Sequence, residues 1–276
     1  MNNKTILITG ASSGIGQATA RYFAASGWNV IASMRTPDRE KGLDDQDHIL
    51  VTRLDVQDRD SIATAINAGI ARFGKIDGLI NNAGFSLFGA FETIPPEKIQ
   101  EQFAVNVIGV MDVTRAILPH FRQNRDGLII NISSRAGLIG LPLISLYCAT
   151  KHALEGFSES LAYELASQNI VVKIVEPSGG VIGTSFSERM NRESVADAGV
   201  ADYNAFVARA GAVFAGLQAA RKTSADEVAK AIHDAATDGT HRLRYFTGED
   251  TGDFVRAKRE MSGQEQIDFM RSRFQL

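Results

Sequence analysis

The apolar run Thr5-Ile-Leu-Ile-Thr9 passes without a spacer into Gly10-Ala-Ser-Ser-Gly14-Ile-Gly16, and this junction restricts the possible folds more than any other segment. The run reads as a short strand buried on both faces. Apolar residues at Ile15, Ala18, Tyr22 and Phe23 then recur at helical spacing, Gly27 closes the helix, and Trp28 to Ala32 forms a second apolar run. Strand, turn, helix and strand in that order make a β-α-β unit, whose strands lie parallel in one sheet. The glycines have separate tasks. Gly10 permits the tight turn, Gly14 lets backbone approach a pyrophosphate, and Gly16 lets the helix pack on the sheet. Ser12, Ser13 and Ile15 lie in the same turn, and the helix from Ile15 aims its N-terminus at the anion.

Strand-like and helix-like stretches alternate through the rest of the chain, without an internal repeat or low-complexity linker. Asp58 to Phe73 is amphipathic and stops at Gly74, and Ile76 to Asn81 is a strand. Pro95 and Pro96 open a long helix towards Phe121, and Leu128 to Ile132 is a strand. A helix runs from Ser145 to about Ser167, and Ile170 to Val175 is a β-rich run ending at Pro177. Ser224-Ala-Asp-Glu227 is a capping box for a helix to about Thr237, and Leu243 to Thr247 supplies a last strand. The expected class is α/β, with a doubly wound, mostly parallel sheet and helices on both faces. A length of 276 residues with 44% hydrophobic content fits one large domain spanning 1–276.

The net charge of −3 offers no basic patch for nucleic acid, so small molecules are the expected partners. No apolar run reaches the roughly 18–20 residues that span a bilayer, and Met1-Asn-Asn-Lys4 leads directly into the first strand. Together with a lone Cys148, these features point to a cytoplasmic protein without a disulfide framework. The five histidines show no metal-ligand spacing, and no metal is expected.

Tyr147 and Lys151 lie four residues apart, with Ser134 upstream at the end of the run Leu128 to Ile132. On a helix, such a pair shares one face at about 5–6 Å between Cβ atoms, which brings an ammonium beside a phenol. A free tyrosine titrates near about 10, and a neighbouring cation is expected to lower that value into a useful range for proton transfer. Ser134 adds a hydroxyl able to bond a carbonyl or alcohol oxygen. Ser133 is its local rival. Cys148 adjoins Tyr147 but faces another side of the helix, and it reads as inert packing.

With these residues in register, the chain resembles the short-chain dehydrogenase/reductase family from Lys4 to about Thr184. The matching segments are Thr9 to Gly16, Asp55-Val56, Asn81-Asn82-Ala83-Gly84, Asn106, Asn131 to Ser134, and Tyr147-Cys-Ala-Thr-Lys151. The resemblance implies a Rossmann fold and a catalytic tetrad of Asn106, Ser134, Tyr147 and Lys151. It further implies that Asp55 and Val56 flank an adenine, that Asn82, Ala83 and Gly84 line the cofactor, and that Lys151 binds the nicotinamide ribose. Asn106 would hold a water at a helix irregularity and relay protons towards Lys151. Asp55 reads equally well as a turn cap, and the lesser alternative for Asn106 is a mid-helix polar residue.

Cofactor choice turns on Ser33-Met34-Arg35 at the end of the second strand. No carboxylate stands there to bond the ribose 2′-hydroxyl of NAD, whereas the Arg35 fork suits a 2′-phosphate, so NADP is expected over NAD. The alternative for Arg35 is a solvated surface charge. Pro177 to Thr184 is about two residues longer than the family pattern, which leaves the register of Ser178 to Gly183 open while Pro177 and Thr184 remain cofactor candidates. Residues 185–222 read as a substrate lid and 251–276 as a C-terminal tail. Leu141, Leu143, Ile144 and Phe186 make an apolar pocket, pointing to a bulky ketone or secondary alcohol.

The expected activity is that of an NADPH-dependent carbonyl reductase or alcohol dehydrogenase. An NAD-dependent alcohol or hydroxysteroid dehydrogenase and a non-catalytic dinucleotide-binding sensor are the alternatives. The helices Pro96 to Phe121 and Leu146 to Ser167 resemble those through which family members form homodimers and homotetramers.

Overall fold

Alternation of side chains along each strand divides the apolar residues between the two faces of one sheet. The computed structural model describes residues 3–39, 42–43, 47–178, 181–184, 186–193, 200–220, 223–248 and 252–275. Its strands are β1 (Thr5–Thr9), β2 (Asn29–Met34), β3 (Ile49–Arg53), β4 (Gly78–Asn81), β5 (Gly127–Ile132), β6 (Ile170–Pro177) and β7 (Arg244–Thr247). They form one sheet in the order β3-β2-β1-β4-β5-β6-β7, and every pairing is parallel. This is the expected doubly wound Rossmann arrangement. β3 was not anticipated: it is a half-exposed edge strand whose residues lack a clean apolar alternation.

Helices α1 (Gly14–Ala25) and α2 (Arg59–Phe73) follow β1 and β3. On one face Ile6, Ile8, Val30 and Ile130 pack with Phe23 of α1 and with Val228 and Ile232. On the other face Leu7, Ile31, Leu79 and Ile129 pack with Ile62, Ile66, Ile117 and Phe121. Neighbouring residues of β1 thus serve opposite cores, so a one-residue slip of register would expose both. Asp58 caps α2 by accepting from the amides of Asp60 and Ser61, and Gly74 ends it at a φ of 82°.

The expected single helix from Pro96 is interrupted. It comprises α3 (Pro96–Phe103), a π-helical segment Ala104–Ile108, and α4 (Gly109–Asn124). Asn106, inside the π segment, is buried and bonded to the distant backbone of Phe85, so the widened turn is held by a tertiary contact. α5 spans Ser145–Ala166.

Beyond β6, the region expected as a lid carries α6 (Phe186–Glu193) and α7 (Asn204–Ala219) within its described residues. α8 (Ala225–Thr237) begins at the expected capping box, where Ser224 and Glu227 exchange hydrogen bonds. The segment expected as a tail carries α9 (Gly252–Glu260) and α10 (Gly263–Phe274), and Phe254, Met270 and Phe274 are buried against Leu141, Ile144 and Phe214. Among the described residues, no helix is long and apolar enough to cross a membrane.

Phe121 is fully buried, and Gly127 leaves room for its ring, since a Cβ at Gly127 would lie 2.5 Å from Phe121 Cγ. Phe121→Ala is expected to destabilise the protein by about 3–5 kcal/mol through lost burial and a residual cavity. Urea unfolding checks this. A loss below about 1 kcal/mol would mean that this face of the sheet is not the packed core described.

Candidate active site

In a doubly wound sheet, ligands bind beyond the C-terminal strand ends where the winding reverses, which here is between β1 and β4. A cavity of about 300 Å³ opens there. Its walls include the turn residues Gly10, Ser12, Ser13, Gly14, Ile15 and Gly16.

That turn is braced from β4. The Asn82 side chain donates to the carbonyls of Thr9 (2.9 Å) and Gly10 (3.1 Å). In return, Thr9 Oγ1 accepts from the amides of Asn82 (3.0 Å) and Ala83 (3.1 Å). Gly10 has a φ of 68°, and a Cβ there would lie 2.9 Å from Ala83 Cα. A Cβ on Gly16 would collide with the Gly10 carbonyl oxygen. Ser13 precedes α1 without capping it by its side chain, so the first amides of the helix are turned to the cavity with their partial positive charge. Thr184 packs beside Gly14, at 3.1 Å from a Cβ built there.

Arg35, at the end of β2, is exposed and lines the cavity, as do Asp55, Val56, Asn82, Ala83, Gly84 and Pro177. Among the described lining residues Asp55 is the sole carboxylate, and its Oδ1 accepts from the Gln57 amide at 3.1 Å, forming the turn cap weighed from sequence. Gly179, Gly180 and Ser185 lie outside the described residues, so the register of Ser178 to Gly183 is fixed only at its ends.

Ser134, Tyr147 and Lys151 meet on the adjoining wall. Ser134 begins the short turn after β5, with its Oγ accepting from the Ala136 amide at 3.2 Å, and it shares the cavity wall with the Tyr147 phenol. Ser133 instead lies on the Glu155 side, close to Gly137. Lys151 Nζ donates to the Ile132 carbonyl at 2.7 Å and stands 5.6 Å from the centre of the Tyr147 ring.

The expected acidic tyrosine is not found. Burial pushes the Tyr147 phenol above its ordinary value, with the Ser134 hydroxyl opposing in part. Burial likewise pushes Lys151 down to about 8, with Glu155 opposing. Desolvation therefore outweighs the pairing that sequence spacing predicted.

Two of the expected site residues are not on the wall of the main cavity. Asn106 stands at a helix irregularity, as the resemblance implied: it lies in the π segment, its Oδ1 accepts from the Phe85 amide (3.0 Å), and its Nδ2 donates to the Phe85 carbonyl (2.8 Å) and to Thr150 Oγ1 (3.2 Å). Its amide braces the strand end beside α5. Leu143, with a φ of 61°, packs in one buried cluster with Leu141 and Ile144 and lines a second hollow together with Leu141, Phe91, Tyr203 and Phe206. Leu141, Ile144 and Phe186 do line the main cavity, and the Phe186 ring centre is 5.8 Å from that of Tyr147.

Residues that the sequence did not disclose complete the apolar wall: Phe88, Met190, Phe214, Leu217 and Phe254. Arg135 and Arg189 join them, stacked at 4.5 Å over Phe254 and Phe85 respectively. The apolar residues scattered through the alanine-rich helical spacing of 204–219 were the available signal for Phe214 and Leu217. No group of residues able to hold a metal occurs among the described residues.

Residues 4–194 match the short chain dehydrogenase family. An uncharacterized oxidoreductase of Schizosaccharomyces pombe is 38% identical over 218 residues, covering 78% of this chain and 89% of the relative. A 3-ketodihydrosphingosine reductase of Bacteroides thetaiotaomicron is 38% identical over 191 residues, covering 69% of this chain and 68% of that protein. Among solved structures, a short-chain dehydrogenase from Streptomyces avermitilis superposes with a TM-score of 0.77 at 31% identity, covering 100% of this chain and 96% of the other. The braced glycine turn, the Ser134–Tyr147–Lys151 wall and this breadth of similarity lead to one conclusion: the chain belongs to the short-chain dehydrogenase/reductase family and is an NAD(P)-dependent oxidoreductase.

Proposed function

We propose that the protein is an NADPH-dependent carbonyl reductase, running in reverse as an alcohol dehydrogenase, on bulky apolar ketones and secondary alcohols. The observation that carries this reading is the meeting of Ser134, Tyr147 and Lys151 in one cavity with both the glycine turn and the aromatic wall. The residues present fit a dinucleotide. Uncapped amides of α1 face its pyrophosphate position, and Gly10 and Gly16 leave no room for side chains that would push backbone aside. Gly14, Asn82, Ala83, Gly84, Pro177 and Thr184 would hold the rest of it, with Asp55 and Val56 at the adenine. Arg35 supplies the donors for a 2′-phosphate.

When bound, the nicotinamide supplies or accepts the hydride. The chain's own residues manage the proton. Ser134 bonds the substrate oxygen and orients it toward Tyr147. With its pKa raised by burial, Tyr147 rests as the neutral phenol, the form that can give a proton to a carbonyl oxygen during reduction. Lys151, at about 8, is mostly ammonium at neutral pH and steadies the phenolate left behind. Asn106, bonded to the Phe85 backbone and to Thr150 of α5, would maintain the proton relay towards Lys151.

The apolar wall of Leu141, Ile144, Phe88 and Phe214 favours a bulky, water-poor substrate over a sugar. The described part of the expected lid, 186–193 and 200–220, would cover it, with Phe186 and Met190 on the cavity wall. The site is proposed to work in the cytoplasm, in a homodimer or homotetramer built on α4 and α5.

Tyr147→Phe is expected to lower kcat by about 10²–10⁴-fold while leaving NADPH affinity unchanged, as read by NADPH consumption and by fluorescence titration. Retained turnover would remove the mechanism. Arg35→Ser is expected to lower kcat/KM for NADPH by about 10–100-fold, the worth of a charged hydrogen bond, and to spare NADH. An equal loss with both cofactors would assign Arg35 to the surface and not to the 2′-phosphate.

A further inference from the structure

Behind Lys151 lies a buried cluster of charges that the proton chemistry does not use. Glu155 follows Lys151 by one turn of α5 and is 5% exposed. Its Oε2 accepts from Nε of Arg244, on β7, at 3.1 Å. Arg244 also donates through Nη2 to Glu159 at 2.8 Å, and its Nε lies 3.8 Å from Oε1 of Glu176 on β6. Glu176 is fully buried, and neither of its carboxyl oxygens has a hydrogen-bond partner.

The backbone is shaped to this corner. A Cβ on Gly137 would lie 2.8 Å from Ser133 Oγ, 3.0 Å from Glu155 Cγ and 3.1 Å from the Lys151 carbonyl oxygen, so the turn after Ser134 closes directly on Lys151 and Glu155.

Two buried carboxyls facing one guanidinium do not both ionise readily. Burial, reinforced by the nearby Glu155 charge, pushes Glu176 up to about 8, while Arg244 and the more distant Arg259 of α9 oppose. Glu176 therefore keeps its proton at neutral pH. Burial raises Glu155 too, but Ser133, Arg244 and Lys151 all favour its charged form, and its hydrogen bond with Arg244 is direct. The negative charge of the pair resides on Glu155, next to Lys151.

We infer that Glu155, held in its ionised form by Arg244, is a positioning residue that keeps Lys151 an ammonium ion over the working pH range. The inference rests on the reading of Lys151 as the cation that serves Tyr147. Glu155 touches neither substrate nor cofactor in this account and acts only through Lys151. The charged and titratable groups around it are Lys151 and Glu159 on α5, Glu176 on β6 and Arg244 on β7, with Ser133 at the end of β5 and Arg259 beyond Glu176.

The signs follow from the placement. Burial alone disfavours the Lys151 ammonium, and Glu155 opposes it. Glu155→Gln removes that opposition, so Lys151 loses its proton at lower pH. Arg244→Gln leaves Glu155 buried without its partner, so Glu155 takes up a proton and the same shift appears. Combining the two adds nothing, because the charge is lost only once.

The test titrates isotope-labelled lysine ε-carbons by NMR in protein without dinucleotide, with Lys151 identified by the signal lost in Lys151→Met. The kcat/KM profile for ketone reduction by NADPH is recorded alongside. We expect the Lys151 midpoint to fall by about one pH unit in Glu155→Gln and in Arg244→Gln, to fall no further in the double variant, and to return in Glu155→Asp. The high-pH limb of kcat/KM should move with it. An unmoved Lys151 midpoint in folded Glu155→Gln overturns the inference, and Arg244→Gln decides alone if Glu155→Gln does not fold. Should the midpoint shift while no variant or wild type reduces any ketone, the reductase reading fails and the electrostatic inference stands.

Discussion

The clasp between Asn82 and the Thr9–Gly10 backbone is the constraint on which the rest of the site depends. A glycine turn is permissive by nature, and permissive backbone costs conformational entropy to fix. Here four hydrogen bonds tie it to the end of β4, where the winding of the sheet reverses. Gly16 is pressed against the Gly10 carbonyl behind the turn, so α1 is seated at a set depth. Once α1 and β4 are tied in this way, the amides of the turn and the wall carrying Ser134 face one shared space.

Burial governs the chemistry of that space as much as proximity does. The ammonium of Lys151 hydrogen-bonds a carbonyl, stands 5.6 Å from the Tyr147 ring, and is itself disfavoured by burial. The phenol is consequently a reluctant acid in this state, which suits it to hold a proton until substrate oxygen needs one. Holding a cation next to such a phenol requires support from farther out, and the Glu155–Arg244 pair occupies that place.

Much of this architecture was legible in the sequence where a feature is local. The five apolar residues of β1, the glycine turn and the Ser224–Glu227 box declare themselves within a few positions. Features maintained by distant partners did not. β3 hides because only one side of it has a neighbour, and the irregularity at Asn106, implied by resemblance alone, is bonded to Phe85, 21 positions away. Leu143 and Leu141 look alike in sequence and share the second hollow, yet only Leu141 also lines the main cavity. Spacing placed Lys151 beside Tyr147 correctly, yet it carries no information on how deeply the pair is buried. The apolar face of α9 and α10 was overlooked because its anchors, Phe254, Met270 and Phe274, are sparse among charged residues.

The clasp also bears on the order of folding. Its hydrogen bonds join residues 72 to 74 positions apart, with α1, β2, β3 and α2 all intervening. Closing so long a loop is entropically costly and slow, and parallel pairings of this kind tend to form late. The nucleotide-facing turn, though contiguous in the chain, can mature only after the middle of the sheet has assembled. An unfinished folding intermediate therefore has no competent site to offer, and added dinucleotide stabilises the native state without rescuing species that precede it.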